Sequence, residues 1–415
     1  MAVKISKCRS CGCKDLKPII SLGNHYVSGF VDDESQQGDK IPLSLVLCDE
    51  CKTLQMEYSA PPESMWNDQY WYKSAINSII RDDLKDIVEN VEVMAELEDN
   101  DIVIDIGNND GTMFEYYKNK NLNLVGFEPC ANVMEESRAK GFTVINDFFN
   151  AKDFNNIYEK KAKVITAISM FYDVEDPNKF LEDIKQCLDK DGLFVIQQNY
   201  LVTMLEKVAF CNTCHEHRFY YSLKTLSTLL ERHGLEVFNV ELNNINGGSI
   251  RTYIKFKESN KFSTNMYRIS RILAKEKDMK LDTLEPYLEF AAKIESSKKD
   301  LLDFIHSEKK KGKKFCGLGA STRGNTICQA FGLNPDLIEC IFDKNPDKWG
   351  KKTVGSLIPV RSPEDAKDIE HDYQIVFIWS IFAGVGEDEL GFIKRGGKFI
   401  LPLPKFRIVD SNEHL

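Results

Sequence analysis

The chain contains no run approaching the roughly 18 consecutive apolar residues that a membrane-spanning helix needs, so no membrane partner is expected. It has no long basic block, and its formal net charge is −10. That balance argues against nucleic acid and anionic membranes as main partners, with only a local basic patch at Lys309–Lys314. The opening Met-Ala-Val-Lys-Ile-Ser-Lys-Cys lacks the apolar core of a signal peptide, and a cytoplasmic protein is expected. Histidine is scarce, at seven residues, so two close together draw notice. What is present excludes a disordered chain: 42% of residues are hydrophobic, and 415 residues supply material for several folding units. There are twelve cysteines, five of them before residue 52. In a reducing compartment these are expected to be free thiols or metal ligands rather than disulfides.

Hydrophobic periodicity divides the chain. Residues 1 to about 65 are turn-rich, with little to bury. From about 74 to 97 the apolar residues Ile76, Ile79, Ile80, Leu84, Ile87, Val88 and Val91 recur at helical spacing. Short apolar runs then alternate with helical stretches: Ile102–Ile106, a helix carrying Met113, Phe114 and Tyr117, Leu124–Phe127, Thr143–Ile145, Val164–Ile168, a helix from Asp176-Pro177 to Leu188, and Phe194–Gln197. This alternation predicts a doubly wound α/β sheet of Rossmann-like type. Residues 264–312 read as a charged helical connector, with a break or helix start at Glu285-Pro286. The alternation restarts with Lys314–Leu318, a helix from about Asn325, and strands at Leu337–Phe342 and Ile375–Trp379. Three units are expected: 1–65, 66–260, and 261–415 with a second Rossmann-like α/β domain.

Cys8-Arg-Ser-Cys11 and Cys48-Asp-Glu-Cys51 are two CxxC pairs. Together they offer four thiolates, the tetrahedral set that structural zinc prefers, with Cys13 as a spare. A redox CxxC or unrelated buried cysteines are the alternatives. Four thiolates leave no position for water, so such a metal is not catalytic.

Asp105-Ile-Gly107-Asn-Asn109-Asp110-Gly111-Thr112 lies where the first strand gives way to a helix. Ligands bind α/β sheets at such carboxyl ends. The spacing is Gly-x-x-x-Gly, not the G-x-G-x-x-G of dinucleotide enzymes. It suits S-adenosylmethionine (SAM), which has no pyrophosphate and whose ammonium an acid such as Asp105 can accept. Glu128, before Pro129 at the end of the second run, is placed for ribose hydroxyls, and Asp147-Phe148 for adenine. Ser169 and Met170 follow the third long run, on the cofactor side.

Cys214-His215-Glu216-His217-Arg-Phe-Tyr220-Tyr221-Ser222 gathers two of the seven histidines around one glutamate. The histidines lack the i, i+4 spacing of a helical zinc pair. General acid/base work suits them better, because imidazole titrates near neutral pH and a neighbouring carboxylate can orient it. The bland alternative is a surface cap before the helix that Ser222 opens. A second Gly-rich turn, Gly317-Leu-Gly319-Ala-Ser-Thr322-Arg323-Gly324, is followed 19 residues on by Asp343. It fits a site for part of the acceptor, with Thr322 and Arg323 toward phosphate, or a ligand-free turn, or NAD.

In this order the motifs resemble the SAM-dependent sugar C-methyltransferases that act on nucleotide-linked keto-deoxysugars. The resemblance runs through both CxxC pairs, Tyr70-Trp-Tyr72-Lys-Ser74, the Asp105–Thr112 loop, His215-Glu-His217, Gly247-Gly-Ser-Ile-Arg251, the Gly317–Gly324 turn and Phe342-Asp-Lys-Asn-Pro-Asp-Lys-Trp-Gly350. It implies an N-terminal zinc module, a SAM domain and a C-terminal domain that helps to hold a nucleotide sugar. It implies that a proton alpha to a keto group is removed and the enolate takes the methyl. On this basis His217 is the base, Glu216 and His215 assist, and Tyr72, or less favourably Tyr70, steadies the enolate oxygen.

The sequence departs from that family on the acceptor side. Cys214 replaces Tyr, Ser169 and Asp173 replace Asn and His, and Asn246 replaces His before Gly-Gly-Ser. With Tyr70 and Tyr221 these positions are expected to face the acceptor. The cofactor-facing motifs thus keep the family pattern while the acceptor-facing positions depart from it. An O- or N-methyltransferase on a related nucleotide-linked or phosphorylated acceptor, or a non-catalytic SAM-fold binding protein, are the competing readings.

Overall fold

A computed structural model describes residues 2–67, 70–380 and 387–410. The run Ile102–Ile106 is a strand buried along its whole length. A β-branched strand with no solvent face belongs inside a sheet covered on both sides. The seven-stranded sheet around it runs in the order Leu235–Asn243, Ser249–Phe256, Leu188–Asn199, Ala162–Ile168, Ile102–Ile106, Asn123–Phe127, Thr143–Ile145. The five strands from Leu188–Asn199 onward are parallel, and the other two are added antiparallel at one edge. The pleat sends Val103 into one core with Val164 and Val195, and Ile102, Ile104 and Ile106 into the other. Strand order reverses at Ile102–Ile106, which opens a crevice at its carboxyl end.

The expected helix near 74–97 is Ser78–Ala95, opened by Asn77, whose side chain accepts from the Ile79 N–H. The expected helix after Thr112 is only a 3-10 turn, Thr112–Tyr116, ended by extended backbone at Tyr117. Met113, Phe114 and Tyr117 are all buried beside the Ser78–Ala95 helix. Pro177 and Glu285-Pro286 both start helices, Pro177–Cys187 and Glu285–Lys309.

The N-terminal segment corrects the expectation of little to bury. Its long strands Leu16–Tyr26 and Lys40–Cys48 carry Leu43, Leu45 and Leu47 into the main core, joined by Leu54 and Met56. Lys40–Cys48 is covered on both faces over most of its length because the rest of the chain folds over it, while Leu16–Tyr26, which the Glu285–Lys309 helix contacts, keeps several residues exposed. The four-stranded sheet is completed at its edge by Phe219–Tyr220, from just after His217.

The last sheet has six strands, Val360–Arg361, Ile341–Phe342, Phe315–Leu318, Tyr373–Val376, Lys398–Leu401 and Arg407–Val409, parallel except for the last. The expected strand Leu337–Phe342 shrinks to Ile341–Phe342, because the Asn334 side chain takes the Asp336 and Leu337 N–H groups into a turn. Lys352–Thr353 pairs with Phe30–Val31, which ties this part to the N-terminal segment. No helix among the described residues is long and apolar enough to cross a membrane.

Candidate active site

Two cavities meet at the carboxyl end of the seven-stranded sheet. The first, about 410 Å³, is lined by Asp105, Gly107, Asn109, Glu128, Pro129, Asp147, Phe148, Ser169 and Met170, with Trp66 and Pro62 from the N-terminal segment. The second, about 710 Å³, is lined by Cys214, Glu216, His217, Asn246, Thr322, Arg323 and Tyr172. Tyr70, Tyr72, Ser169 and Asp173 line both.

The first cavity is built from the strand ends. Gly107 has φ +74, and a Cβ there would sit 3.2 Å from Met170 Cγ, so the loop runs close against Met170. Asp105 accepts from Thr166 Oγ1 at 2.7 Å and Asn108 Nδ2 at 3.1 Å, and burial pushes its pKa up to about 6. Glu128 is fixed by two backbone donors, the N–H of Asn109 and of Cys130, each at 2.9 Å, and burial raises its pKa. The carboxylate lines the first cavity, where it is placed to accept from a diol. Phe148 meets Trp66 edge-on at 5.7 Å on the rim beside Asp147.

Asn109 and Asp110 turn their side chains away from the crevice floor. Asn109 accepts from the Ser74 N–H at 2.9 Å and donates to Tyr72 O at 3.1 Å, while Asp110 accepts from the Ala75 N–H at 2.9 Å. Together with Asn132, which donates to Tyr70 O at 2.9 Å, they pin the Tyr70–Ala75 strap over the loop. Tyr72 is 48% exposed and lines both cavities. Burial of its hydroxyl among the cavity walls pushes its pKa up to about 12. Gly111 has φ +76, with Ser137 Oγ only 2.4 Å from where a Cβ would sit, so it serves close packing beside the loop.

In the second cavity, His217 Nδ1 lies 2.7 Å from Asn212 O. A carbonyl only accepts, so Nδ1 carries the proton and Nε2 keeps its lone pair. The ring lies 4.2 Å from that of Tyr172. Burial and the Arg323 charge bring its pKa down to about 3, so it rests neutral rather than half-protonated. Asp173 Oδ1 and Glu216 Oε2 are buried without a hydrogen-bond partner among the described residues. Burial raises both pKa values, and the Glu216 charge adds to the rise at Asp173. Ser169, Asn246 and Asn109 hold φ of 56, 55 and 54, a left-handed cluster of non-glycine residues around the cavities. Asn246 Nδ2 reaches Ser169 Oγ at 3.5 Å.

Other expected residues lie elsewhere. His215 is buried outside both cavities, its Nε2 3.2 Å from Ile41 O. Tyr221 is stacked between Phe171 and Phe219. A Cβ on Gly317 would meet Phe377 at 2.6 Å and one on Gly319 would meet Ile378 at 2.4 Å, so these glycines serve close packing. Asp343 accepts from Lys348 Nζ at 3.3 Å and lines no cavity described above. Sequence reasoning missed Tyr172, Trp66 and Asp83, which line the cavities from three separate segments. Only Tyr172 left a signal, as an aromatic just past a strand end.

Cys8, Cys11, Cys48 and Cys51 place their sulfurs within 4.8 Å of one another, with Cys8–Cys51 at 3.7 Å and Cys11–Cys48 at 3.5 Å. Four thiolates about 2.3 Å from one zinc ion stand roughly 3.8 Å apart, so the set fits that ion. Cys13 stands aside, its sulfur accepting from the Asp15 N–H. Protein purified without chelator is expected to carry about one zinc per chain by elemental analysis. Metal-free protein of undiminished stability would exclude the site.

A parallel sheet with an acid-lined crevice at its switch point, and a second chamber opening into it, defines a Rossmann-like methyltransferase. Three family models tile the chain: a zinc binding domain over residues 8–66, a methyltransferase domain over 77–240, and the C-methyltransferase C-terminal domain over 244–404. The chain is 28% identical to the C-methyltransferase NovU of Streptomyces niveus, over 99% of this chain and 98% of that protein. Among solved structures, the plantazolicin methyltransferase BamL matches at 14% identity over 44% of this chain and 87% of its own, with a TM-score of 0.35. A SAM-dependent methyltransferase from Clostridium acetobutylicum ATCC 824 matches at 13% identity over 44% and 93%, with a TM-score of 0.34. The chain thus carries a zinc-binding module, a methyltransferase domain and a C-methyltransferase C-terminal domain in that order, and is a SAM-dependent methyltransferase. The first cavity, within the range of about 300–1,000 Å³ usual for such ligands, fits SAM.

Proposed function

We propose that this enzyme methylates a carbon alpha to the keto group of a nucleotide-linked sugar, with His217 as the base. The observation that carries the reading is the shared wall of the two cavities. His217 Nε2, with its lone pair free, belongs to the chamber that opens onto the SAM crevice past Tyr70, Tyr72, Ser169 and Asp173. SAM supplies an electrophilic methyl carbon whose bond to sulfur breaks with the electron pair leaving on sulfur. His217 Nε2 takes the proton from the alpha carbon, and the C–H electrons pass into an enolate. Tyr72 or Tyr70 donates to the enolate oxygen, which needs a donor most at that moment. The enolate carbon takes the methyl, the carbonyl reforms, and the imidazolium returns its proton to solvent. The neutral resting imidazole suits this role, since the charge it gains is formed beside the negative charge it creates.

The nucleotide finds support at the far side of the second cavity. There Phe30 and Trp71 line the cavity and meet edge-on at 5.6 Å, and Lys348 and Lys351, outside its lining, sit over Phe30 at 5.2 Å and over Trp71 at 5.5 Å. Aromatic faces and cations together suit a base and its phosphates. Thr322 and Arg323 open the Thr322–Phe331 helix on the same cavity, and its N-terminus favours an anion.

Incubating the enzyme with candidate 4-keto nucleotide sugars in heavy water, without SAM, is expected to exchange the alpha proton, read by proton NMR. Methylation of an oxygen or nitrogen needs no such exchange. Product formation without it would replace this reading with one of those.

A further inference from the structure

We infer that the zinc knuckle is a positioning element for the acceptor chamber, holding the His217 segment through Arg9, Gln55 and Glu175. The inference rests on the proposed role of His217. His217 is followed at once by chain that belongs to the zinc module's sheet. Phe219 pairs with Gln55 and Tyr220 with Leu54, and the Met56 N–H donates to Arg218 O at 2.8 Å. Gln55 reaches back to the knuckle, its Nε2 donating to Cys8 Sγ at 3.0 Å and its Oε1 accepting from the Arg9 N–H at 3.1 Å.

A second connection runs through charge. Arg9, inside the Cys8–Cys11 turn, donates from Nε to Glu175 Oε1 at 3.0 Å and from Nη1 to Met56 O at 2.6 Å. The other Glu175 oxygen accepts from Arg218 Nε, and Arg218 Nη1 donates to Asp173 O. The Arg218 N–H also donates to Tyr172 O at 2.9 Å. One carboxylate thus joins the knuckle arginine to the arginine next to His217, and that arginine holds the backbone of Tyr172 and Asp173. The Arg9 and Arg218 side chains are 5% and 2% exposed, so solvent does not loosen their ends of the bridge.

The geometry gives the zinc module a task beyond its own folding. A base displaced by about 1 Å loses roughly 100-fold in rate, so a rigid neighbour that holds the segment serves the reaction.

Hydrogen exchange read by mass spectrometry tests this on the full chain with and without zinc. Removing zinc with a chelator is expected to raise exchange in residues 212–220 about tenfold while leaving 102–112 unchanged. Unchanged exchange in 212–220 would overturn the inference. So would a rise spread evenly over the chain, because zinc would then serve the fold as a whole. Glu175→Ala, away from the thiolates, is expected to keep its zinc, loosen the same segment, and lower kcat about 10- to 100-fold with less change in KM. Unaltered exchange and kcat in this variant would also overturn it. Exchange reads no chemistry, so this test can fail while His217 remains the base, and the loss of His217 from the mechanism would leave the exchange result standing.

Discussion

His217→Ala is expected to lower kcat about 10²–10⁴-fold, the usual contribution of a positioned general base. SAM affinity, measured by calorimetry, is expected to stay as it is, since His217 lines only the second cavity. The alpha-proton exchange in heavy water should be lost with turnover, and an acceptor KM near the wild-type value would separate this effect from a failure to bind the acceptor. The pH profile carries a further expectation. Burial and Arg323 depress the His217 pKa to about 3, so the imidazole is unprotonated above that value and protonated only below it. Between pH 5 and 8 the free enzyme should therefore show no acid limb in kcat/KM from this group, where an exposed histidine would give one near 6.5. Largely intact turnover in His217→Ala would remove the residue from the role of base. An acid limb near 6.5 that disappears in the variant would show that the imidazole is more hydrated than the chamber implies.

Local pattern made the cofactor side legible. An apolar run followed by Asp-x-Gly, and a second ending in Glu128, are statements about strand ends, and strand ends are where a parallel sheet places its crevice. The two CxxC pairs were legible for a similar reason, since each pair is a turn that needs nothing distant to fix it. The acceptor side was harder. His215 and His217 are two residues apart and look alike in sequence, yet one packs against Ile41 O and the other faces the chamber. That difference is set by which strand of the zinc module each backbone segment meets, and no periodicity reports it. Asn109 and Asp110 illustrate the same limit. Their place in a Gly-rich loop suggests cofactor contact, whereas their side chains hold a strap some 35 residues earlier in the chain. Gly317, Gly319 and Asp343 carry the spacing of a ligand loop, but Phe377, Ile378 and Lys348 occupy the space beside them. Trp66 reaches the first cavity only because the N-terminal segment folds against the central sheet.

Glu128→Ala is expected to act on the other substrate alone. The carboxylate is buried, fixed by the N–H groups of Asn109 and Cys130, and faces the first cavity and not the second. A hydrogen bond to a charged group contributes about 1.5–3 kcal/mol, so losing its contacts to a ribose diol should weaken SAM binding roughly 10- to 100-fold. The two backbone donors would also lose their acceptor, and some fall in thermal stability should accompany the change. Glu128→Gln keeps an acceptor oxygen in place, so it should recover most of the stability but only part of the affinity. Burial raises the Glu128 pKa, so in the wild-type enzyme SAM affinity should decline on acidification from a higher pH than an exposed glutamate would give, because protonation removes the charged acceptor. At saturating SAM, Glu128→Ala should turn over near the wild-type rate, the opposite of His217→Ala. Unchanged SAM affinity would take Glu128 out of the ribose site and leave its carboxylate as a brace for the loop.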